Sequence, residues 1–497
     1  MSNPTSLADI LNSAPPNQTA IILPEPNIRV TYASLRDQVF QMADGLASLG
    51  IGPGDRVATV LPNGLPAIVS FLAASIAGTA APLNPGYRQD EFAFFLEDTS
   101  AKVLLCPPDG APDARKAAQG KVPVHDLVMD DHGYVRIAGV SNGRKSPAAD
   151  PNGVALVLHT SGSTGRPKRV PIRHRNLAAS AVNIVNHYKF TGDDVALCAM
   201  PLFHVHGLVA STLSTLLAGG TVVVPSKFNP LSFWRTVRDC NVTWYSAVPT
   251  IHSLLLARAG DARPEGAEKL RFIRSCSAAL PPEMMAKMES VFGAPVLEAY
   301  GMTEASHQMA SNPLPPSAHK AGSVGPGTGV KIGIMDGKGN LLASGDRGEV
   351  VIQGPNVVDG YENNPEANAV SFTNGWFRTG DQGYLDADDY LVLTGRIKEL
   401  INRGGEKIAP REIDEVLLAH PAISEAVAFG FPHPTWGEEV AAAVVLKEPQ
   451  TEAQLLAYCK DRLADFKRPK KFYIVETIPR TATGKIQRGA VAKALAG

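Results

Sequence analysis

The sequence predicts an α/β fold: a large N-terminal domain of βαβ units with parallel sheets, then a small β-barrel-like subdomain, then a small α+β domain on a hinge. Three observations carry this. From residue 19 to about 300, short β-rich runs alternate with helix-patterned segments, the signature of parallel strands joined by helical crossovers. After roughly residue 320 the texture turns to glycine-punctuated short strands, such as Gly348-Glu349-Val350-Val351-Ile352. Beyond Gly395 the chain starts a pattern of its own, which places a first domain at 1–395, a hinge at 396–398 and a second domain at 399–497.

Taken in order, the run at 56–61 precedes a helical stretch through Phe71 to residue 77, and 80–83 precedes a helical run at 89–96, with a strand at 102–105 after it. Polar, Gly/Pro-rich sequence from 107 to 152 reads as an irregular excursion. The apolar run 154–158 is a buried strand, and helical periodicity resumes near Arg175. Further on, 221–224 precedes a helix at 231–238, 242–246 precedes 251–257, and 272–273 precedes 282–292. In the last domain a helix at 411–419 leads to strands at 426–429 and 440–446. A helix at 453–463, a strand at 472–475 and a final helix after Lys485 follow. In such sheets ligands collect at the carboxyl ends of the strands.

Composition narrows the class. Hydrophobic residues make up 44% of 497, so the chain can bury a large core. Lys+Arg 47 against Asp+Glu 48 leaves a net charge of −1, which argues against nucleic acid or an anionic membrane as principal partner. No run approaches the roughly 20 apolar residues of a membrane span. Five scattered cysteines show neither CxxC nor metal spacing and read as reduced thiols. The N-terminus lacks the pattern of a secretion signal, and the closing Ala-Leu-Ala-Gly is not a peroxisomal address. A cytoplasmic protein is the expectation.

The most informative stretch is His159-Thr160-Ser161-Gly162-Ser163-Thr164-Gly165-Arg166-Pro167-Lys168-Arg169-Val170. Glycines let backbone N–H groups converge on an anion, hydroxyls add donors and Lys168 adds charge. A nucleotide-triphosphatase P-loop needs Gly-Lys-[Ser/Thr], and here Lys168 stands between Pro167 and Arg169. The stretch instead resembles the phosphate loop of the adenylate-forming enzymes, which comprise acyl-CoA synthetases, luciferases and adenylation domains. It departs from that pattern at Arg169, where the family has glycine.

Further segments extend the resemblance over nearly the whole chain. Pro201-Leu202-Phe203-His204-Val205-His206-Gly207 resembles the segment whose first histidine lies between ATP and the acid, which implies that role for His204. His206 is either a support behind it or a satisfied core histidine. Tyr300-Gly301-Met302-Thr303-Glu304 resembles the core motif, implying that Thr303 binds phosphate and Glu304 holds Mg²⁺, an ion that takes oxygen ligands. Ser277, Ala278 and Ala279, with Glu298, Ala299 and Tyr300, correspond to the adenine pocket. Thr379-Gly380-Asp381 and Gly395-Arg396 resemble the ribose-binding pair, implying roles for Asp381 and Arg396. Pro479-Arg480-Thr481-Ala482-Thr483-Gly484-Lys485 resembles the motif whose lysine enters the site, and Lys485 is the leading catalytic candidate. Without the resemblance, a lysine at a helix start is ordinarily solvated. By the same resemblance the C-terminal domain is mobile. Lys398 stands at its hinge, and Gly404-Gly405 stands beside the pantetheine arm of coenzyme A.

The resemblance implies ATP, Mg²⁺ and coenzyme A as cofactor and co-substrates, and a two-step acid–CoA ligase reaction. A closer similarity, to the oxalate–CoA ligases of plants and fungi, rests on four runs. They are residues 243–252, Arg274-Ser275-Cys276-Ser277-Ala278, residues 400–408 and Gly484-Lys485-Ile486-Gln487-Arg488. A short diacid needs polar partners for its second carboxylate. His204, Ser277 and His307 are the candidates, His307 being either a donor or a packed ring. The alternative is a ligase for 4-coumarate-like or medium-chain acids. A carrier-protein adenylation module, a silent nucleotide-binding protein and a luciferase-like oxygenase are weaker readings on the same fold.

Overall fold

A computed structural model describes residues 4–160, 167–480 and 486–496. Two largely parallel sheets form the bulk of the N-terminal domain. One has seven strands, with Arg56–Thr59, Thr79–Pro82, Ala101–Cys106, Val124–Met129 and Val154–Thr160 running parallel and an antiparallel strand at each edge. The other has eight, with a parallel core that includes Val195–Cys198, Thr221–Val223, Trp244–Ala247, Phe272–Ser275 and Val296–Met302. These strands read as short apolar runs because helices cover both faces of the sheets. The helix Leu65–Ala77 is buried along almost its whole length, which explains its lack of a polar face.

The stretch from 107 to 152, expected to be irregular, holds the helix Pro112–Ala118 and the strand Val124–Met129. That helix has seven residues and buries only Ala114, Ala117 and Ala118. The strand is interrupted by His125 and Asp126, so neither element has a strong period of its own. Pairing with Ala101–Cys106 recruits the strand into the sheet.

The β-rich subdomain is an antiparallel five-stranded sheet of Lys331–Met335, Gly348–Gln353, Phe372–Thr373, Trp376–Leu385 and Leu391–Arg396. The 3₁₀ turn Ile397–Glu399 then leads into the C-terminal sheet, which is built on the long hairpin Ile423–His433 and Gly437–Leu446. Its alternation is strict. Ala426, Ala428, Ala442 and Val444 pack with the helices Pro410–Leu418 and Glu452–Lys460, while Val427, Phe429, Ala441 and Ala443 pack with Arg488–Ala496. Among the described residues no helix is long and apolar enough to cross a membrane.

Candidate active site

Ser161, Gly162, Ser163, Thr164, Gly165 and Lys485 lie outside the described residues. The two ends of the phosphate loop are described, and they form a stem that sequence periodicity did not predict. Val154–Thr160 pairs antiparallel with Lys168–Arg173, setting Thr160 opposite Lys168 and His159 opposite Arg169. The helix His174–Tyr188 begins only after the second of these strands. Pro171 hid this strand, since proline is tolerated in a sheet chiefly at an edge, and this strand is at the edge.

Thr160 donates from Oγ1 to Glu304 Oε1 at 3.3 Å, and Tyr361 donates its hydroxyl to the same oxygen at 2.8 Å. Lys168 Nζ lies 4.5 Å from the centre of the Tyr361 ring. Loop stem, Glu304 and Tyr361 are thus one unit. Glu304 and Thr303 are both buried, in a 3₁₀ turn between the strands Val296–Met302 and His307–Ser311. That tight return needs glycine at 301, where a Cβ would stand 2.2 Å from the His307 carbonyl oxygen.

Arg169 occupies a defined place. It donates to the backbone carbonyl of Asp98, the last residue of the helix Gln89–Asp98, where carbonyls lack helical partners. Its Nε lies 3.4 Å from the Asp98 carboxylate and 3.7 Å from that of Glu362. His159, its cross-strand neighbour, holds the same Asp98 carboxylate at 2.9 Å, and Arg56 pairs with Glu362. Glu362 N–H in turn donates to the Arg169 carbonyl at 3.0 Å. Burial keeps the His159 imidazolium form disfavoured, with Asp98 acting in the opposite direction.

Asp381 and Arg396 are cross-strand partners, joined at 3.1 Å, and Tyr300 donates its hydroxyl to the other Asp381 oxygen. Burial and the Asp381 charge push the Tyr300 hydroxyl well above its ordinary range, so it remains a donor. Ser277, Ala278 and Ala279 follow the strand Phe272–Ser275, with Ser277 at φ +72° and both alanines exposed. Glu298, grouped with them from sequence, accepts the Leu280 N–H at 3.0 Å and so braces this segment from beneath. Its second oxygen is buried without a hydrogen-bond partner. Burial pushes its carboxyl up to about 7, against the pull of Arg411 and the Leu280 N–H. Ala299 is buried opposite Ser311.

Between these groups lies a polar cluster that the sequence marked only in part. His204 is half-buried and accepts from the His206 N–H at 3.3 Å. His206, which opens the π-helical segment His206–Leu213, is fully buried. Its ring spans Ser277 Oγ at 3.1 Å and Ser246 Oγ at 2.6 Å. The His307 ring lies 5.2 Å from that of His206, with its backbone at φ +123°, an unfavourable region for a residue with a side chain. Behind both rings sits Arg274, 0% exposed. Its guanidinium contacts Ser246, His206, His307, Gln308 and Tyr188, and among the described residues no carboxylate pairs with it. Sequence gave Arg274 no role, because an arginine in an otherwise apolar strand carries no periodic signal. Tyr361 was missed because it belongs to no quoted motif.

Lys398 is exposed in the Ile397–Glu399 turn. Gly404 and Gly405, at φ +58° and +94°, make the two-residue turn between Ile401–Arg403 and Glu406–Ile408. A Cβ at Gly404 would stand 2.8 Å from the Trp436 ring. Among the described residues no hydrogen bond or ion pair joins this turn to the cluster around Glu304. Beside Phe203 a cleft of about 370 Å³ is lined by Leu61, Pro85, Met200, Phe228, Val248 and Ile251, among others. Most of these follow the carboxyl ends of strands in both parallel sheets. No group of three or more His, Cys, Asp or Glu able to hold a metal occurs among the described residues.

The family described as AMP-binding enzyme matches residues 11–362, and its C-terminal domain matches residues 412–485. The chain is 48% identical to the oxalate–CoA ligase of Arabidopsis thaliana, with 93% of each chain covered. It is 44% identical to the oxalate–CoA ligase of Saccharomyces cerevisiae, covering 97% of this chain and 95% of that one. Among solved structures, ATP-bound MatB from Rhodopseudomonas palustris matches with a TM-score of 0.90 at 32% identity, over 99% of this chain and 98% of the other.

Proposed function

The chain belongs to the AMP-binding enzymes, and from that premise we propose that it is an AMP-forming acid–CoA ligase whose acid is oxalate. The observation that carries the choice of acid is the buried guanidinium of Arg274. A cation taken wholly out of water is costly unless compensated, and among the described residues no carboxylate pairs with it. The cluster of Ser277, His206 and His307 in front of it is therefore held at positive potential. A second carboxylate suits that environment, and an aryl ring or alkyl tail does not. The names of the two relatives above agree with this choice.

In the first half-reaction one carboxylate of the acid attacks the α-phosphorus of ATP and pyrophosphate leaves. Charge accumulates on phosphoryl oxygens, so the protein's task is positioning and electrostatic stabilisation. Lys168, the hydroxyls and N–H groups of the loop 160–168, Thr303 and Lys485 supply donors and positive charge. Asp381 and Arg396 take the ribose, the Asp381 oxygens each keeping a lone pair beyond the Tyr300 and Arg396 contacts. Ser277, Ala278 and Ala279 border the adenine, with Glu298, Ala299 and Tyr300 behind them. Glu304 fits Mg²⁺, which is commonly held by one or two carboxylates together with substrate phosphates. Its carboxylate is buried beside the loop stem and oriented by Thr160 and Tyr361. When bound, the ion would neutralise phosphate charge.

In the second half-reaction the thiol of coenzyme A attacks the acyl carbonyl and AMP leaves. The largely apolar cleft beside Phe203 is a suitable approach for the thiol arm. We assign Lys398 to the hinge and Gly404 and Gly405 to the coenzyme A side of the moving domain, in keeping with alternation of one site between two chemistries. The test is pyrophosphate release with oxalate, malonate, 4-coumarate and octanoate. A preference for oxalate supports the reading, and a preference for either of the last two refutes it.

A further inference from the structure

We propose that Arg274 is a positioning residue that fixes the proton on Nδ1 of both His206 and His307, and so makes the Ser277 hydroxyl an obligatory donor toward the acid. This deepens the preceding section's reading of the acid pocket and rests on it.

A guanidinium has five N–H groups and no acceptor. In Arg274, Nε–H is shared by Tyr188 Oη at 3.0 Å and Gln308 Oε1 at 3.1 Å. One terminal nitrogen reaches Ser246 Oγ at 2.9 Å and His206 Nε2 at 3.4 Å. The other reaches Gln308 Oε1 at 2.9 Å and His307 Nε2 at 3.3 Å. Every N–H is thus directed at a neighbour within the protein, and the group has no donor left for a substrate. Its influence must pass through those neighbours.

Two of the neighbours are imidazole nitrogens facing a group that only donates, so both must accept. Each ring then carries its proton on Nδ1. Ser246 reinforces this at His206: its oxygen accepts from Arg274, and its own proton is directed at His206 Nε2, 2.6 Å away. With Nε2 accepting, His206 Nδ1–H donates to Ser277 Oγ at 3.1 Å. The Ser277 proton is therefore turned away from His206. Ser277 is partly exposed and sits at φ +72°, two residues beyond the strand that carries Arg274. A relay Arg274 → Ser246 → His206 → Ser277 thus runs outward with every bond polarised the same way. It ends in a donor suited to an anionic carboxylate rather than a neutral substituent.

The test uses the full-length enzyme labelled with ¹⁵N-histidine. Two-bond ¹⁵N–¹H correlation spectra report the tautomer of each ring, with His206 and His307 assigned through His206→Asn and His307→Asn. The relay predicts Nδ1–H for both rings in the wild type. In Arg274→Gln it predicts loss of that single tautomer, with the KM for oxalate raised at least 10-fold and the KM for ATP within 2-fold of wild type. Arg274→Lys should recover part of the oxalate KM. Ser277→Ala removes the acceptor of His206 Nδ1–H but keeps the Arg274 and Ser246 contacts that face Nε2, and it should raise the oxalate KM by a similar factor while both rings keep Nδ1–H. Nε2–H on either ring in the wild type would overturn the proposal. So would tautomers unchanged in a folded Arg274→Gln, or an oxalate KM unchanged in Ser277→Ala. A wild-type enzyme that ignores oxalate but shows both Nδ1–H rings would refute the choice of acid and support the relay.

Discussion

Replacing Arg169 by glycine, the residue the adenylate-forming enzymes carry at this point, should weaken ATP binding. The side chain is 14% exposed, and its bond to the Asp98 carbonyl is charge-assisted. Such bonds contribute about 1.5–3 kcal/mol. The contacts at 3.4 and 3.7 Å involve partly exposed carboxylates that keep His159 and Arg56, so their loss adds ~1 kcal/mol or less. A glycine within a strand costs roughly a further 0.5–1 kcal/mol in backbone freedom. The stem should therefore lose about 3 kcal/mol of local stability. If half of that must be restored when ATP binds, the ATP KM rises about 10-fold. ATP–pyrophosphate exchange at saturating acid measures it, with the KM for the acid as the control. Asp98→Asn, which keeps the backbone carbonyl, should act more weakly in the same direction, and the double variant should fall slightly short of the sum because both changes remove the Arg169 contact with the Asp98 carboxylate. An Arg169→Gly enzyme whose ATP KM stays within 2-fold of wild type would refute the reasoning.

Glu298 gives a prediction about stability. Its carboxyl is raised from 4.5 to about 7 by burial, so between those values the folded state holds a proton that the unfolded chain has released. Its contribution is fully present below about pH 4.5 and is lost as the pH rises through 7, a change of roughly 3 kcal/mol. Urea unfolding of wild type against Glu298→Gln at pH 5 and 8 isolates it: the variant should gain relative to wild type at the higher pH, and equal differences at both would exclude the effect. For Lys485, substitution by alanine should slow adenylate formation by at least about 100-fold, in line with loss of a preorganised charge at the phosphates. Thioester formation from supplied acyl-adenylate should change far less. An unchanged rate of adenylate formation would remove Lys485 from the first step.

The parallel strands themselves were accessible, though not their order, because strands buried on both faces announce themselves as apolar runs, as at Trp244–Ala247 and Phe272–Ser275. Helix bounds at Pro282–Phe292 coincide with the predicted ones, since proline opens that helix and Gly293 closes it. The strand Lys168–Arg173 was hidden by Pro171, and the one at Val124–Met129 by its polar residues. Those strands exist because a neighbour accepts their hydrogen bonds, information that no local window contains. The same holds in the site. Thr160, Glu304, Asp381 and Arg396 stand in recognisable motifs, whereas Tyr361 acquires its place only when the chain brings it to Glu304 from 57 positions away.

Arg274 is the sharpest case, because local and tertiary evidence point in opposite directions. In the sequence it interrupts the apolar run Phe272-Ile273 before Ser275, where a charged residue would normally signal a strand edge. In the structure it is fully buried in a strand paired on both sides. A guanidinium so placed, with no carboxylate partner among the described residues, lowers the stability of the apo-protein relative to a packed apolar residue. That cost is intelligible if the potential is used when an anion arrives, since a charge fixed in advance requires no reorganisation at binding. An apolar replacement such as Arg274→Met should on this argument move stability and oxalate binding in opposite directions. A side chain that merely filled space would lower both together.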